Sequence, residues 1–84
     1  MKTHLLKLAD QYWEPVLAGS KAFEVRRDDR GFEVGDRVRF RRVDSEAEMG
    51  MAFVITYVLT HADFPEGIPE GWCVFGLGKE GVGK

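Results

Sequence analysis

The sequence predicts an α+β fold: a small, partly closed β-barrel of about five strands with one helix packed alongside. Two observations carry that expectation. Short apolar runs with period-two alternation recur along the chain, separated by Gly-, Pro- and Asp-rich turns. Only one segment, around Tyr12 to Leu17, has helical spacing. Eighty-four residues make one domain with a thin core, expected over residues 1–78, with 79–84 as a flexible C-terminal tail. No internal repeat or low-complexity stretch interrupts it.

The elements follow in order. Residues 3–8 form a first strand, with His4, Leu6 and Leu8 on one face. Asp10 is placed to cap a helix. Tyr12, Trp13, Val16 and Leu17 recur at i, i+1, i+4 and i+5, an apolar stripe two to three turns long. Pro15 lies inside it, and Gly19 suits the left-handed position past a helix end. A strand follows from Ala22 to Arg27, with Phe23 and Val25 on one face and Ala22, Glu24 and Arg26 on the other. Asp28-Asp29-Arg30-Gly31 and Val34-Gly35-Asp36-Arg37 read as turns. The strand from Arg37 to Val43 sets Arg37, Arg39 and Arg41 opposite Val38 and Phe40. Residues 44–50 are a loop. Met51 to Leu59 is apolar or β-branched on both faces and is expected to be the most buried strand. Residues 60–71 hold two of the three prolines and read as a long loop; Trp72 to Leu77 is the last strand.

Composition narrows the function classes. Apolar content of 44% and aromatic content of 12% fit a folded domain rather than a disordered one. No apolar run approaches the roughly 20 residues that span a bilayer. The N-terminus has no signal-peptide pattern, and the single cysteine, Cys73, has no internal partner. Both point to a reducing, cytoplasmic setting and away from a membrane. No Cys and His set has zinc spacing, and no cofactor motif is present.

Net charge is −2, but it is unevenly spread. All seven arginines lie between Arg26 and Arg42, and residues 21–42 carry eight basic and five acidic groups. Residues 43–70 carry six acids and no Lys or Arg. Such asymmetry fits either one electropositive face on a mildly acidic body, or a solvated strand with ion-pair partners.

The densest chemistry is in Gly19-Ser20-Lys21-Ala22-Phe23-Glu24-Val25-Arg26. A helix stop is followed by a lysine, then by a carboxylate and a guanidinium on one strand face. Mixed charge at such a junction can hold a polar ligand with both donors and acceptors, or can tie helix end to strand as an ion network. Lys21 and Arg26 can bind phosphate or carbonyl oxygens. Glu24 can accept from the exocyclic amine of a base.

Gly19-x-Lys21-x-x-Glu24-x-Arg26 resembles the signature of ASCH domains, a branch of the PUA-like superfamily. His4-x-x-Lys7, Tyr12-Trp13, Asp29-Arg30-x-Phe32-x-Val34-Gly35-Asp36, Ile55 to Leu59 and Trp72 to Leu77 extend the likeness to the subgroup labelled DUF3850. The resemblance implies a PUA-like β-barrel whose motif residues line a cleft between helix and barrel. It implies RNA, nucleotide or nucleoside ligands. Some ASCH relatives hydrolyse the acyl amide of an acylated cytidine, and others have been proposed as ribonucleases. In the amidohydrolase branch a threonine stands at the position of Glu24, and a later carboxylate completes the site. Here Glu66 and Glu70 are the later carboxylates considered.

Three readings result. The first is a module that binds RNA or a nucleotide through Lys21, Glu24 and Arg26, with backbone phosphates on Arg37, Arg39 and Arg41. The second is a small hydrolase of acylated cytidine or RNA in the same cleft, with Lys21 and Glu24 catalytic. The third is a charged face that meets another protein. Among the remaining polar groups, Gly35 and Asp36 read as turn-formers, and Asp29 and Arg30 as a pair closing their turn. His4 reads as a packed, hydrogen-bonded histidine. Trp13 and Trp72 read as packing residues, and Cys73 as a buried thiol.

Overall fold

The computed structural model describes residues 1–80. It holds β1 (Thr3–Leu8), α1 (Asp10–Ala18), β2 (Phe23–Arg27), β3 (Arg37–Arg42), β4 (Phe53–Thr60) and β5 (Trp72–Lys79). The five strands form one sheet in the order β1-β3-β4-β5-β2. β1 runs parallel to β3, and the other neighbours are antiparallel. The sheet curls into a half-barrel that brings its two edges, β1 and β2, towards each other. Side chains rather than a ladder span that seam: Arg26 Nη2 donates to the Lys7 carbonyl at 2.8 Å, and Arg30 Nη1 to the Leu5 carbonyl at 3.3 Å.

Alternation in β1 and β3 sets the core. His4, Leu6 and Leu8 are buried while Thr3, Leu5 and Lys7 are exposed. Val38 and Phe40 lie against them, and Cys73, Phe75 and Leu77 of β5 complete the wall. Trp13 and Val16 are the buried face of α1. Each such side chain contributes about 1.5–3 kcal/mol by leaving water.

The helix cap lies one residue earlier than expected. Ala9 holds the extended cap position, and its side chain has no oxygen to bond the first turn. Asp10 instead occupies the first turn and ion-pairs with Arg42. Gly19 closes the helix at φ 86°, and its N–H donates to Val16 O. No helix is long and apolar enough to cross a membrane among the described residues.

Three other expectations need correction. In β4 only Phe53 and Ile55 are buried, and Tyr57 is 65% exposed. A register shift between Ile55 and Val58 marks a bulge, which breaks the alternation and turns the second half outward. The bulge sits over Gly76, where a Cβ would come within 2.5 Å of Thr56 Oγ1. The last strand runs to Lys79, so Gly78 and Lys79 are ladder residues paired with Val54 and Phe53. Glu80 is anchored on Arg37; residues 81–84 of the expected tail lie outside the described residues. Finally, Arg30 turns to Leu5 rather than to Asp29, because the seam offers it a carbonyl that no strand covers.

Asp36 does more than form a turn. Its buried carboxylate accepts from Lys2 N at 3.0 Å and Glu33 N at 3.1 Å, and His4 Nε2 lies 2.9 Å away. A carboxylate only accepts, so Nε2 carries the proton. The His4 ring also packs on Phe32 at 4.7 Å, as expected for a packed histidine. Burial pushes the Asp36 carboxyl up, but the bonds from His4, Lys2 and Glu33 outweigh it and hold it below its ordinary 3.8. A lowered folded pKa means that the unfolded chain binds the proton more readily. Asp36 therefore stabilises the fold above about pH 3.8 and loses that contribution as pH falls through its folded value. Asp36→Asn should lower stability at pH 7 by about 1–3 kcal/mol in urea titrations. It should also flatten the acid limb of stability against pH; an unchanged limb would show that Asp36 is not the group responsible.

Candidate functional site

At the end of the seam nearest α1, the chain leaves the helix through Gly19. The Lys21 N–H returns to Pro15 O at 2.9 Å, which ties the connecting turn to the helix. Lys21 is thereby fixed between α1 and β2. Its Nζ donates to Phe23 O at 2.9 Å and to Glu24 Oε2 at 2.5 Å. The same ammonium lies 4.9 Å from the Tyr12 ring centre and 5.0 Å from that of Phe23. Glu24 Oε1 accepts from Arg26 Nε at 2.8 Å, while Arg26 Nη2 crosses to Lys7 O. One carboxylate thus holds two cations, one from the helix junction and one from the strand.

The orientation of β2 explains the arrangement. Glu24 is only 3% exposed, whereas Phe23 and Val25 are 46% and 51% exposed. The strand buries its charged face and shows its apolar one. A buried carboxylate with one partner missing is strongly unfavourable, and here Lys21 and Arg26 supply both partners. A cleft of about 560 Å³ opens above them, lined by Lys7, Leu8, Ala9, Tyr12, Lys21, Phe23, Glu24, Val25, Arg26 and Val43.

Lys21, Glu24 and Arg26 therefore converge on the cleft. The arginines of β3 do not all join them. Arg37 pairs with Glu80 at 2.7 Å beside a separate recess of about 440 Å³, and Arg39 pairs with Glu48 at 3.2 Å. Arg41 shares their outward face next to Lys7 in the β1–β3 register. Glu66 and Glu70 do not line the cleft. Trp13 is buried under the Arg42 guanidinium at 4.5 Å, and the Trp72 ring lies 5.5 Å from that of Arg27. No group of three or more Cys, His, Asp and Glu is placed to hold a metal among the described residues.

Three lining residues lie in the family-like stretches but are not expected as ligands from the sequence. Lys7, Tyr12 and Phe23 add one cation and two ring faces to the wall. Tyr12 and Phe23 look like core residues in a periodicity count. The available signal was the chemistry of Glu24: if its two cations neutralise it, the charged face can turn inward and Phe23 must turn out.

With both Glu24 oxygens engaged, the polar groups left at the cleft are mainly donors, set among the rings of Tyr12 and Phe23 and aliphatic side chains. Such donors can meet oxygen acceptors and negative charge, and the rings can meet a flat ring. Glu24→Gln should free Lys21 and Arg26 and lower stability by about 1–3 kcal/mol, because the freed cations keep partial access to water. Urea unfolding measures this, and a change under a few tenths would remove Glu24 as the organiser of the site.

Cys73 lies under the same sheet, opposite Arg26 in the β2–β5 register. Burial first, then the charges of Asp28 and Asp29, push its thiol up to about 11. It should resist iodoacetamide at pH 8 in the folded protein and react once urea unfolds it. Rapid labelling of the native protein would contradict that burial.

None of the curated proteins compared with the chain matches it. The chain does match the family described as "Domain of unknown function (DUF3850)" over residues 3–77. That span holds all of the cleft and every strand but the last two residues of β5, and the protein belongs to the DUF3850 family.

Proposed function

We propose that this domain binds RNA or a nucleotide in the cleft between β1, α1 and β2, as an ASCH-type member of the PUA-like superfamily acting in the cytoplasm. The observation that carries the proposal is the buried Glu24 carboxylate, which presents Lys21 and Arg26 together at an open cleft. Phosphate or base carbonyl oxygens would take the remaining donors of Lys21 and Arg26. The half-exposed rings of Phe23 and Tyr12 offer a base a stacking face. Glu24 acts through the two cations as a positioning residue. The five-stranded half-barrel with its helix at the seam suits the superfamily, and the buried, unpaired thiol suits a reducing compartment.

Hydrolysis of an acylated cytidine or of RNA in the same cleft gains no comparable support. Both oxygens of Glu24 are engaged, and the later carboxylates lie elsewhere.

Fluorescence anisotropy with a short single-stranded RNA tests the proposal. Lys21→Ala and Arg26→Ala should each weaken binding about tenfold or more, as expected for charge-assisted hydrogen bonds. Phe23→Ala should weaken it through lost stacking. Affinity that is indifferent to all three substitutions would reject the cleft as the binding site.

A further inference from the structure

We infer that the cleft continues past Lys7 to Arg41 and takes a second phosphate there, so that its ligand is a single-stranded oligonucleotide rather than a lone nucleotide. This rests on the nucleotide-binding reading of the cleft. Its basis is the pairing of charges across β1 and β3.

Arg37, Arg39 and Arg41 project from one face of β3, yet they are not equivalent. Glu80 takes Arg37, and Glu48 takes Arg39. Arg41 makes no ion pair among the described residues. Glu48 lies across a β-bridge from Arg41, but its carboxylate is committed to Arg39. On the other side, Arg41 is in register with Lys7 of β1. Strand neighbours stand roughly 4.8 Å apart with side chains on the same face. Lys7 has no ion pair among the described residues either. Two like charges side by side on a sheet are unfavourable unless an anion comes between them.

Lys7 also belongs to the cleft. It lines the cavity, and its carbonyl holds Arg26. Cations therefore continue from Lys21 and Arg26 through Lys7 to Arg41, with Glu24 bound between the first two and Glu48 beside the last but held by Arg39. A phosphate at Lys21 and Arg26 leaves room for its neighbour in the strand at Lys7 and Arg41. The track stops at Arg39, where Glu48 restores neutrality. The footprint is thus short: two phosphates, and the bases attached to them.

The test compares uridine monophosphate with a fluorescein-labelled tetrauridylate, by calorimetry and anisotropy over a salt series. The tetranucleotide should bind about tenfold more tightly than the mononucleotide. Arg41→Gln should remove most of that advantage. It should also reduce the steepness of log affinity against log salt by about 0.7, the value for one phosphate contact on a single strand. Arg41→Lys should preserve both, and a change of fold would show in the thermal melt. If Lys21→Ala weakens both ligands while Arg41→Gln leaves affinity and salt slope unchanged, the second phosphate site is wrong and the cleft reading stands. If neither ligand binds, or neither responds to Lys21→Ala, both fall. A hexaglutamate peptide that binds as tightly as the tetranucleotide would also overturn the inference, since the track would then be reading charge alone.

Discussion

A five-stranded sheet that curls without closing keeps two open edges, and the edges of β1 and β2 face each other. Backbone groups on such edges need partners or cover. Here no ladder joins them. The guanidinium groups of Arg26 and Arg30 reach across to carbonyls of β1, a distance that backbone donors do not span. The rest of the site depends on this seam. Arg26 can bridge it only if its charge is held over the sheet edge, and Glu24 holds it there. Glu24 can be buried only if Lys21 takes its second oxygen. Lys21 arrives at the right place because Gly19 turns the chain sharply out of α1. A turn residue, an ion network and a gap in a barrel are one device.

The same geometry resolves the uneven charge of the sequence. The base-rich stretch of residues 21–42 and the net-acidic remainder meet in space. Arg37 finds Glu80, Arg39 finds Glu48 and Arg42 finds Asp10. Each of these pairs is exposed and adds little stability. Their effect is on the field: they cancel positive charge over most of β3. Lys7 and Arg41, neighbours in the β1–β3 ladder, have no ion pair among the described residues, and Lys7 lines the cleft.

Much of this was legible in the residues. Period-two alternation located β1 and β3 and their inward faces, and Gly19 marked the helix end. The octapeptide from Gly19 to Arg26 named the three charges that converge. Other features depend on contacts that no local pattern encodes. In β2 the alternation sets Phe23 and Val25 against Glu24 and Arg26 without saying which face is inner, although apolar side chains usually seek the core. A doubly neutralised carboxylate reverses that preference. The strand around Thr56 reads as fully buried, but its bulge is set by the close approach to Gly76, which lies twenty residues on. Lys7 stands in the family-like stretch His4-x-x-Lys7, but its place beside Arg41 across a parallel ladder and beside Arg26 across the seam is not readable from that spacing. Acidic partners far away in sequence decide which arginines stay available, and spacing alone cannot assign them.

Why a buried carboxylate should organise the proposed anion site is at first puzzling, since it would oppose the charge it helps to bind. The answer lies in what the two cations would otherwise do. Free Lys and Arg side chains each lose roughly 2 kcal/mol of rotamer freedom when fixed. In this protein Glu24, the Phe23 carbonyl and the Lys7 carbonyl fix them during folding. An incoming oxygen then meets donors already aimed, and the ordering term is no longer charged to binding. The carboxylate is buried beneath the cations, so the ligand approaches the positive side of the network first. Lysine and arginine outnumber the glutamate, and the network stays net positive. The arrangement gives up some attraction in exchange for direction, which suits recognition of a particular group better than it suits the gathering of any anion.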